Sequence, residues 1–284
     1  MVIKYEIFVN IYGLGFDFQI KKRYKSVWST LYVFFDKLTE NYIFEVGIIM
    51  KKNTFRNHIS VDCVIFGYDE QFNKLEVLLI EQKKPNLIGN KSFLAQFALP
   101  GDLVNDEEDL NDAAKRVLDE LTNVSGLNLR QSGCFGDPMR VKQAKDKEWL
   151  HLYRQDPDAR VITVTYYTLV RKEMIRPVPG SFAQNVVWKN AKRVPSLAFD
   201  HNLIVKQAYT NLRRDFEEEM FAKALLPQKF TLKNLQNLYE VIFNTILDKR
   251  NFIKRIKKED NLTELSEKQK GTMFKPSKLY TFKA

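Results

Sequence analysis

Apolar residues recur along this chain at two different spacings, and the order in which the spacings appear limits the folds open to it. Residues 60–67 are rich in Val, Ile and Phe, and 75–80 in Leu, Val and Ile, on either side of a polar turn at 69–73; this is the pattern of a β-hairpin. Residues 95–99 read as a short strand running into Pro100, Gly101 and Asp102. From 110 to 121 the spacing changes. Leu110, Ala113, Ala114, Val117, Leu118 and Leu121 fall on one face of a helix. Strands return at 161–170 and 186–188, followed by a helix at 204–212 and a charged stretch, 213–219, which reads as its solvated end or a linker. Strand and helix signals interleaved in this way mark a chain of mixed α and β structure.

The last fifth reads differently. Helices are expected at 232–243 and 249–258, with short extended pieces at 262–265 and 278–282. Residues 229–284 contain 13 Lys and Arg against 6 Asp and Glu, so this segment carries +7 of the net +10. A basic surface gathered at one end favours an anionic partner. With 284 residues, about two domains are expected.

The first 49 residues are rich in aromatics, but no apolar run reaches the ~18 residues of a membrane span, and no signal-peptide order is present. Met50-Lys51-Lys52-Asn53 reads like a natural start, which makes 1–57 an N-terminal extension; a small N-terminal module is the competing reading. Cys63 and Cys134 lie in apolar surroundings without metal-ligand spacing. They are expected to be buried, reduced thiols of a cytoplasmic protein.

The run Leu99-Pro100-Gly101-Asp102-Leu103-Val104, continuing through Ala113-Ala114-Lys115-Arg116-Val117-Leu118-Asp119-Glu120-Leu121-Thr122, resembles the Nudix box. Glu108, Arg116, Leu118, Glu120 and Val124 match in one register, with Asp102 and Asn123 where the family has glycines and Val117 and Leu121 where it has glutamates. A second register, starting at Gly101, keeps Asp119 and Glu120 as an acidic pair but puts Arg116 where a glutamate belongs. In the first, one helix face that would hold magnesium against a diphosphate reads Val117, Glu120, Leu121, which is poor in oxygen ligands. The stretches 156–167 and 197–201 are similar to segments of Nudix-related transcriptional regulators and their sugar-responsive relatives. His201, opening a helix, reads as a capping or packing residue.

Phe230-Thr231-Leu232, Leu235-Gln236, Leu238-Tyr239-Glu240, Asp248-Lys249-Arg250-Asn251-Phe252 and Lys254-Arg255 resemble the winged helix that ends those regulators. Thr231 and Asp248 are suited to cap its two helices. Phe252 and Ile256 would point inward, leaving Lys249, Arg250, Asn251, Lys254 and Arg255 outside in the first turns of a recognition helix. Arg250 and Asn251 could bond base edges, whereas Lys257 and Lys258 suit phosphates; Lys268, Lys270, Gly271 and Lys275 would form a wing tip.

The resemblance therefore implies an α+β chain: a Nudix-type α/β/α sandwich with a mixed sheet at 58–220, binding a small effector, and a winged helix-turn-helix at 221–284. It implies as partners a double-stranded DNA operator, a nucleotide or pentose-sugar effector and a second copy of the chain, with no membrane. No catalytic residue and no cofactor is expected, because the box retains only Glu108, Arg116 and Glu120. If the chain is instead an active Nudix pyrophosphohydrolase, magnesium is the cofactor and Glu120, with Glu108, its ligand.

Overall fold

The computed structural model describes residues 7–12, 15–20, 33–34, 47–48, 57–82, 96–143, 146–147, 150–151, 154, 156–218, 221–269, 271 and 276–283. Met50, Ala95, Glu219, Lys270 and Lys275 of the sequence reading lie outside them. Residues 1–55 form one compact unit and 56–284 another. In the first, strand β1 (Ile7–Tyr12) pairs antiparallel with β2 (Gly15–Ile20), and β3 (Val33–Phe34) with β4 (Gly47–Ile48).

The second unit opens with β5 (Asn57–Asp69) and β6 (Lys74–Gln82), joined by a tight turn in which the Phe72 N–H donates to Asp69 and Asn73 takes a left-handed conformation. After β7 (Phe97–Ala98) and β8 (Gly101–Leu103) comes helix α1 (Leu110–Thr122). Asp109 caps α1 by accepting from the Asn111 and Asp112 N–H groups, and left-handed Asn123 ends it. Strands β9 (Arg130–Phe135), β10 (Arg160–Arg171) and β11 (Ala183–Asn190) complete a sheet of order β11-β6-β5-β10-β9. Only the β5–β10 neighbours run parallel, so the sheet is mixed, as expected.

Side chains alternate across β5 because successive Cβ atoms point to opposite faces. Val61, Cys63 and Ile65 pack on Ala113, Ala114, Val117, Leu118 and Leu121 of α1. On the other face Val64, Phe66 and Tyr68 meet Ile204, Val205, Ala208 and Leu212 of α2 (His201–Glu218). The result is the α/β/α sandwich. Hydrogen bonding between β5 and β6 is confined to 66–69 and 74–77; beyond that, β8 pairs with β5 and β7 with β6. The sheet forks there.

Helix α3 (Phe221–Leu225) leads into α4 (Leu232–Phe243), α5 (Lys249–Glu259) and the hairpin β12 (Leu262–Lys268) and β13 (Lys278–Phe282). Thr231 and Asn234 form a reciprocal cap at the start of α4, and Asp248 caps α5 through the Asn251 N–H. Phe230 and Tyr280 exchange backbone hydrogen bonds, which ties the wing to the strand-like approach to α4. Leu235, Leu238, Ile242, Phe252 and Ile256 are buried, and they continue the apolar cluster of the α2 face without a break.

Two expectations need correction. Residues 213–218 are not a linker but the end of α2, with Arg213 and Arg214 exposed as a solvated end would have them; what the expectation missed is Phe216, 2% exposed, which stacks edge-on with Tyr239 and Phe243 of α4. The charged neighbours of Phe216 hide a buried position four residues after Leu212. Cys63 is buried, and burial pushes its thiol well up, but Cys134 is exposed. It sits on β9, an edge strand that pairs only with β10 and whose polar sequence gave no strand signal.

If Phe216 is a core residue of this joint, Phe216→Ala should lower unfolding stability by about 3–5 kcal/mol, as large-to-small core substitutions of Phe do. A linker position would cost under ~0.5 kcal/mol. Urea unfolding of the full chain distinguishes the two.

Candidate functional site

A cleft lies at the fork of the sheet. Its walls come from Ser60 and Asp62 of β5, Ile80 and Gln82 of β6, Ala98, Gly101 and Asp102 of the inserted strands, and Arg140, Arg154, Phe199 and His201 beyond them. None of the α1 side chains lines it.

Its back wall is a buried ionic network. The Arg140 guanidinium donates to both carboxylate oxygens of Asp200, at 2.9 and 2.8 Å, and to Asp62 at 3.4 Å. The Arg140 side chain is only 3% exposed, so the two carboxylates offset much of the cost of burying its charge. His201 accepts the Leu99 N–H at Nδ1, 3.0 Å away, and turns Nε2 towards Asp62 at 3.4 Å. This is a packed polar role, in keeping with the sequence reading of His201. Burial alone would raise the Asp62 carboxyl; the His201 ring, the Arg140 guanidinium and the Thr163 hydroxyl outweigh it and hold Asp62 well below the usual carboxylate range. Gly101 is required opposite, since a Cβ there would stand 1.9 Å from an Asp62 oxygen.

Phe199, between this network and the cleft, has a left-handed backbone (φ +53°), which is costly for a bulky residue. Three contacts hold the turn: the Ala198 N–H to Phe97, the Phe199 N–H to Asp146, and Asp200 to Arg140. Its ring meets that of His201 edge-on at 5.2 Å.

The box residues lie on α1, outside the cleft. Arg116 binds Glu108 through two nitrogens, Glu120 at 3.0 Å and the Leu103 carbonyl at 2.9 Å, and the Arg116 guanidinium with the Asn105 N–H holds Glu108 down at about 2. Two of the positions matched by the first register, Glu108 and Glu120, are thus both bonded to a third, Arg116. Val117 and Leu121 are 0% and 1% exposed inside the apolar cluster. Residues 178–180 lie against the end of α1, where the Val178 and Gly180 N–H groups donate to Thr122 and Leu121; a Cβ on Gly180 would be 2.3 Å from the Glu120 carbonyl. Magnesium does not fit this set: two positions offer no oxygen and Glu120 is bonded to Arg116. Among the described residues, no group of three or more His, Cys, Asp or Glu is placed to hold a metal ion.

The second candidate surface is α5. Phe252 and Ile256 face inward, and Lys249, Arg250, Asn251, Lys254, Arg255, Lys257 and Lys258 are all exposed. Arg255 lies over the rings of Tyr239 and Phe252, at 5.2 and 5.7 Å, with Glu259 3.6 Å away. The other five cations of the helix make no ion pair with a described residue. In and around the wing, Lys278 is held by Glu264, Lys229 by Glu267 and Lys283 by Asp260, while Lys268 makes no ion pair with a described residue. Ile246, in the turn before α5, is 94% exposed. Sequence reasoning found the α5 residues but missed Asp62, Arg140, Arg154 and Asp200, which are scattered singly and converge only in the fold.

The two surfaces are mechanically joined. Helix α2 begins at the cleft with His201, and farther along Tyr209 donates to the Ile242 carbonyl of α4 at 2.7 Å while Arg213 covers the Phe243 ring. Asn234, in the first turn of α4, donates to Glu70 in the β5–β6 turn at 3.0 Å.

Residues 56–176 match the family model described as NUDIX domain, and 222–282 that of the NrtR DNA-binding winged helix domain. The ADPR responsive transcriptional repressor NtrR of Acinetobacter baylyi is 30% identical over 227 residues, 79% of this chain and 81% of that one. The fold resembles the crystal structure of a MutT/nudix family protein from Enterococcus faecalis, with a TM-score of 0.59 and 24% identity over 87% of this chain and 90% of that one. It also resembles Shewanella oneidensis NrtR, with a TM-score of 0.53 and 24% identity over 80% and 94%. The same protein complexed with a 27mer DNA gives a TM-score of 0.53 and 24% identity over 79% and 93%.

The Asp62 network has a pH signature. A carboxylate depressed in the folded state adds stability that is present above its unfolded value, about 3.9, and lost as pH falls below that towards the folded value. The stability gap between the native chain and Asp62→Asn should therefore be constant above about pH 5 and narrow below about pH 4. Urea midpoints of both proteins across that range check it; a gap independent of pH would show that Asp62 is not ionised in the fold.

Proposed function

The chain belongs to the Nudix-related transcriptional regulators that end in an NrtR-type DNA-binding winged helix, and from that membership we propose that it is a repressor whose Nudix domain senses ADP-ribose without hydrolysing it. The observation that carries the DNA-binding half is the outer face of α5. Five cations there make no ion pair with a described residue, on a helix seated by Phe252 and Ile256. Uncompensated cations gathered on the outer face of one helix suit a partner that brings phosphates. The likeness to the Acinetobacter repressor supports the sensing half.

In this reading the effector occupies the cleft at the fork and DNA meets α5, with Arg250 and Asn251 on base edges and Lys254, Lys257 and Lys258 nearer phosphates. Two copies acting on a two-fold operator follow from half-site geometry. Such a regulator works where the DNA is, in the cytoplasm; no helix among the described residues is long and apolar enough to cross a membrane.

Fluorescence anisotropy with duplex DNA from upstream of the chain's own gene tests this. Binding is expected, and ADP-ribose should release it. Arg250→Ala should cost about 1–3 kcal/mol on the operator and little on random duplex. Lys257→Ala should weaken both alike and lower the salt slope by about one unit. Unchanged affinity in both variants would leave α5 without a role in DNA binding and overturn the reading.

Incubation with ADP-ribose and magnesium should give no turnover, because Val117 and Leu121 bury apolar side chains where the box has glutamates. Turnover that Glu120→Gln abolishes would establish a Nudix pyrophosphohydrolase in its place.

A further inference from the structure

Ile246 is 94% exposed, more than any other large apolar side chain among the described residues. It stands in the turn between α4 and α5, two positions before Asp248, whose carboxylate caps α5. A lone apolar residue on a surface is ordinary, so exposure by itself assigns it no role. What sets Ile246 apart is how firmly the turn around it is built.

Asn244 ends α4 in a left-handed conformation (φ +52°), and the Thr245 N–H donates to the Glu240 carbonyl at 3.2 Å. On the far side of Ile246, the Leu247 N–H donates to the Glu240 carboxylate at 3.0 Å, and the Leu247 carbonyl accepts from the Gln236 amide at 2.9 Å. The same amide donates to the Glu240 carboxylate at 2.9 Å, and Gln236 is only 5% exposed, so these bonds are costly to lose. Leu247 packs against the apolar cluster beneath. The backbone on both sides of Ile246 is thus fixed to α4, and the side chain between them is held out in solvent.

Its surroundings select the partner. The acids of the turn are occupied, Glu240 by Leu247 and Gln236, and Asp248 by the Asn251 N–H. Lys249 and Arg250, directly after the cap, are exposed and make no ion pair with a described residue. A protein partner asks for a contiguous apolar patch of roughly a few hundred Å²; here positions 244, 245 and 248–251 are all polar or charged. Duplex DNA offers the complementary combination, an anionic surface with small isolated apolar groups, the C5-methyls of thymine, in the major groove. A recognition helix enters that groove with its first turn leading, which carries the preceding turn towards the base edges.

We propose that Ile246 is a specificity-determining residue whose side chain packs on a thymine C5-methyl group in the major groove, beside the bases met by the first turn of α5. This rests on the reading of α5 as the recognition helix. Arg250 and Asn251 select by hydrogen bonds; Ile246 adds an apolar selection against cytosine, which has no methyl group at C5 and presents an amino donor in the groove.

Anisotropy titrations of the full chain test the assignment, using the duplex from upstream of its own gene made once with thymine and once with deoxyuridine at every thymine. The two duplexes differ only in the C5-methyl groups. The native protein should bind the deoxyuridine duplex about fourfold more weakly for each methyl contacted, the transfer value of one buried carbon. Ile246→Ala should bind the thymine duplex more weakly than the native protein does and lose most of the preference between the two duplexes, and Ile246→Val should keep part of it. Both variants should unfold at the native urea midpoint, since the side chain is exposed. A native protein indifferent to the methyl groups, or an Ile246→Ala protein with the native preference undiminished, would overturn the inference. So would equal weakening on both duplexes with a changed oligomeric state in gel filtration, which would assign Ile246 to a contact between copies. A native protein that binds neither duplex would instead sink the regulator reading, and this inference with it.

Discussion

A guanidinium buried between two carboxylates fixes much of this structure. Arg140 comes from the loop after β9, Asp62 from the middle of β5, and Asp200 from the turn that starts α2. Removing one acid would leave a buried charge short of its counter-charge, which is far costlier than the pair is stabilising. The loop, the strand and the helix start are therefore held in one arrangement. That arrangement makes the back wall of the cleft, sets Phe199 in its left-handed turn, and aims α2 across the sheet.

Helix α2 turns this local constraint into a long-range one. Eighteen residues span roughly 27 Å at the helical rise. One end is clamped by Asp200 and His201; the other half is built into α4 by Tyr209, Arg213 and Phe216. Helix α4 is packed on α2 and joined directly to the β5–β6 turn by Asn234, within one continuous apolar cluster. A ligand can shift such a system only by as much as it prefers one arrangement over the other. Of the residues lining the cleft, His201 belongs to the helix whose later turns pack on α4.

Elements defined by local spacing were legible in the sequence. The hairpin at 57–82, helix 110–122, helices 232–243 and 249–259 and the final strand at 278–282 all followed from apolar period and capping residues, each of which acts within a few positions. Strand β9 was not legible, because Arg130–Phe135 is a polar edge strand that borrows its order from β10. Phe216 was missed because the charges around it outnumber the single aromatic that packs inward. The cleft was the least legible part. Asp62, Arg140, Arg154 and Asp200 have no shared motif, and each looks like an ordinary surface charge until the fold brings them together.

Two box positions of α1 carry apolar side chains, Val117 and Leu121, and the fold uses both for packing. Glu108, Arg116 and the Leu103 carbonyl form a structural tie between the loop and the helix that needs no metal. Val117 and Leu121 add apolar area to the α1 face, where each buried side chain of this size contributes about 1.5–3 kcal/mol. Carboxylates at the same two places, without a cation to neutralise them, would subtract from stability. The lining of the cleft comes from β5, β6, the inserted strands and the loops carrying Arg140 and Arg154, and the α1 side chains take no part in it.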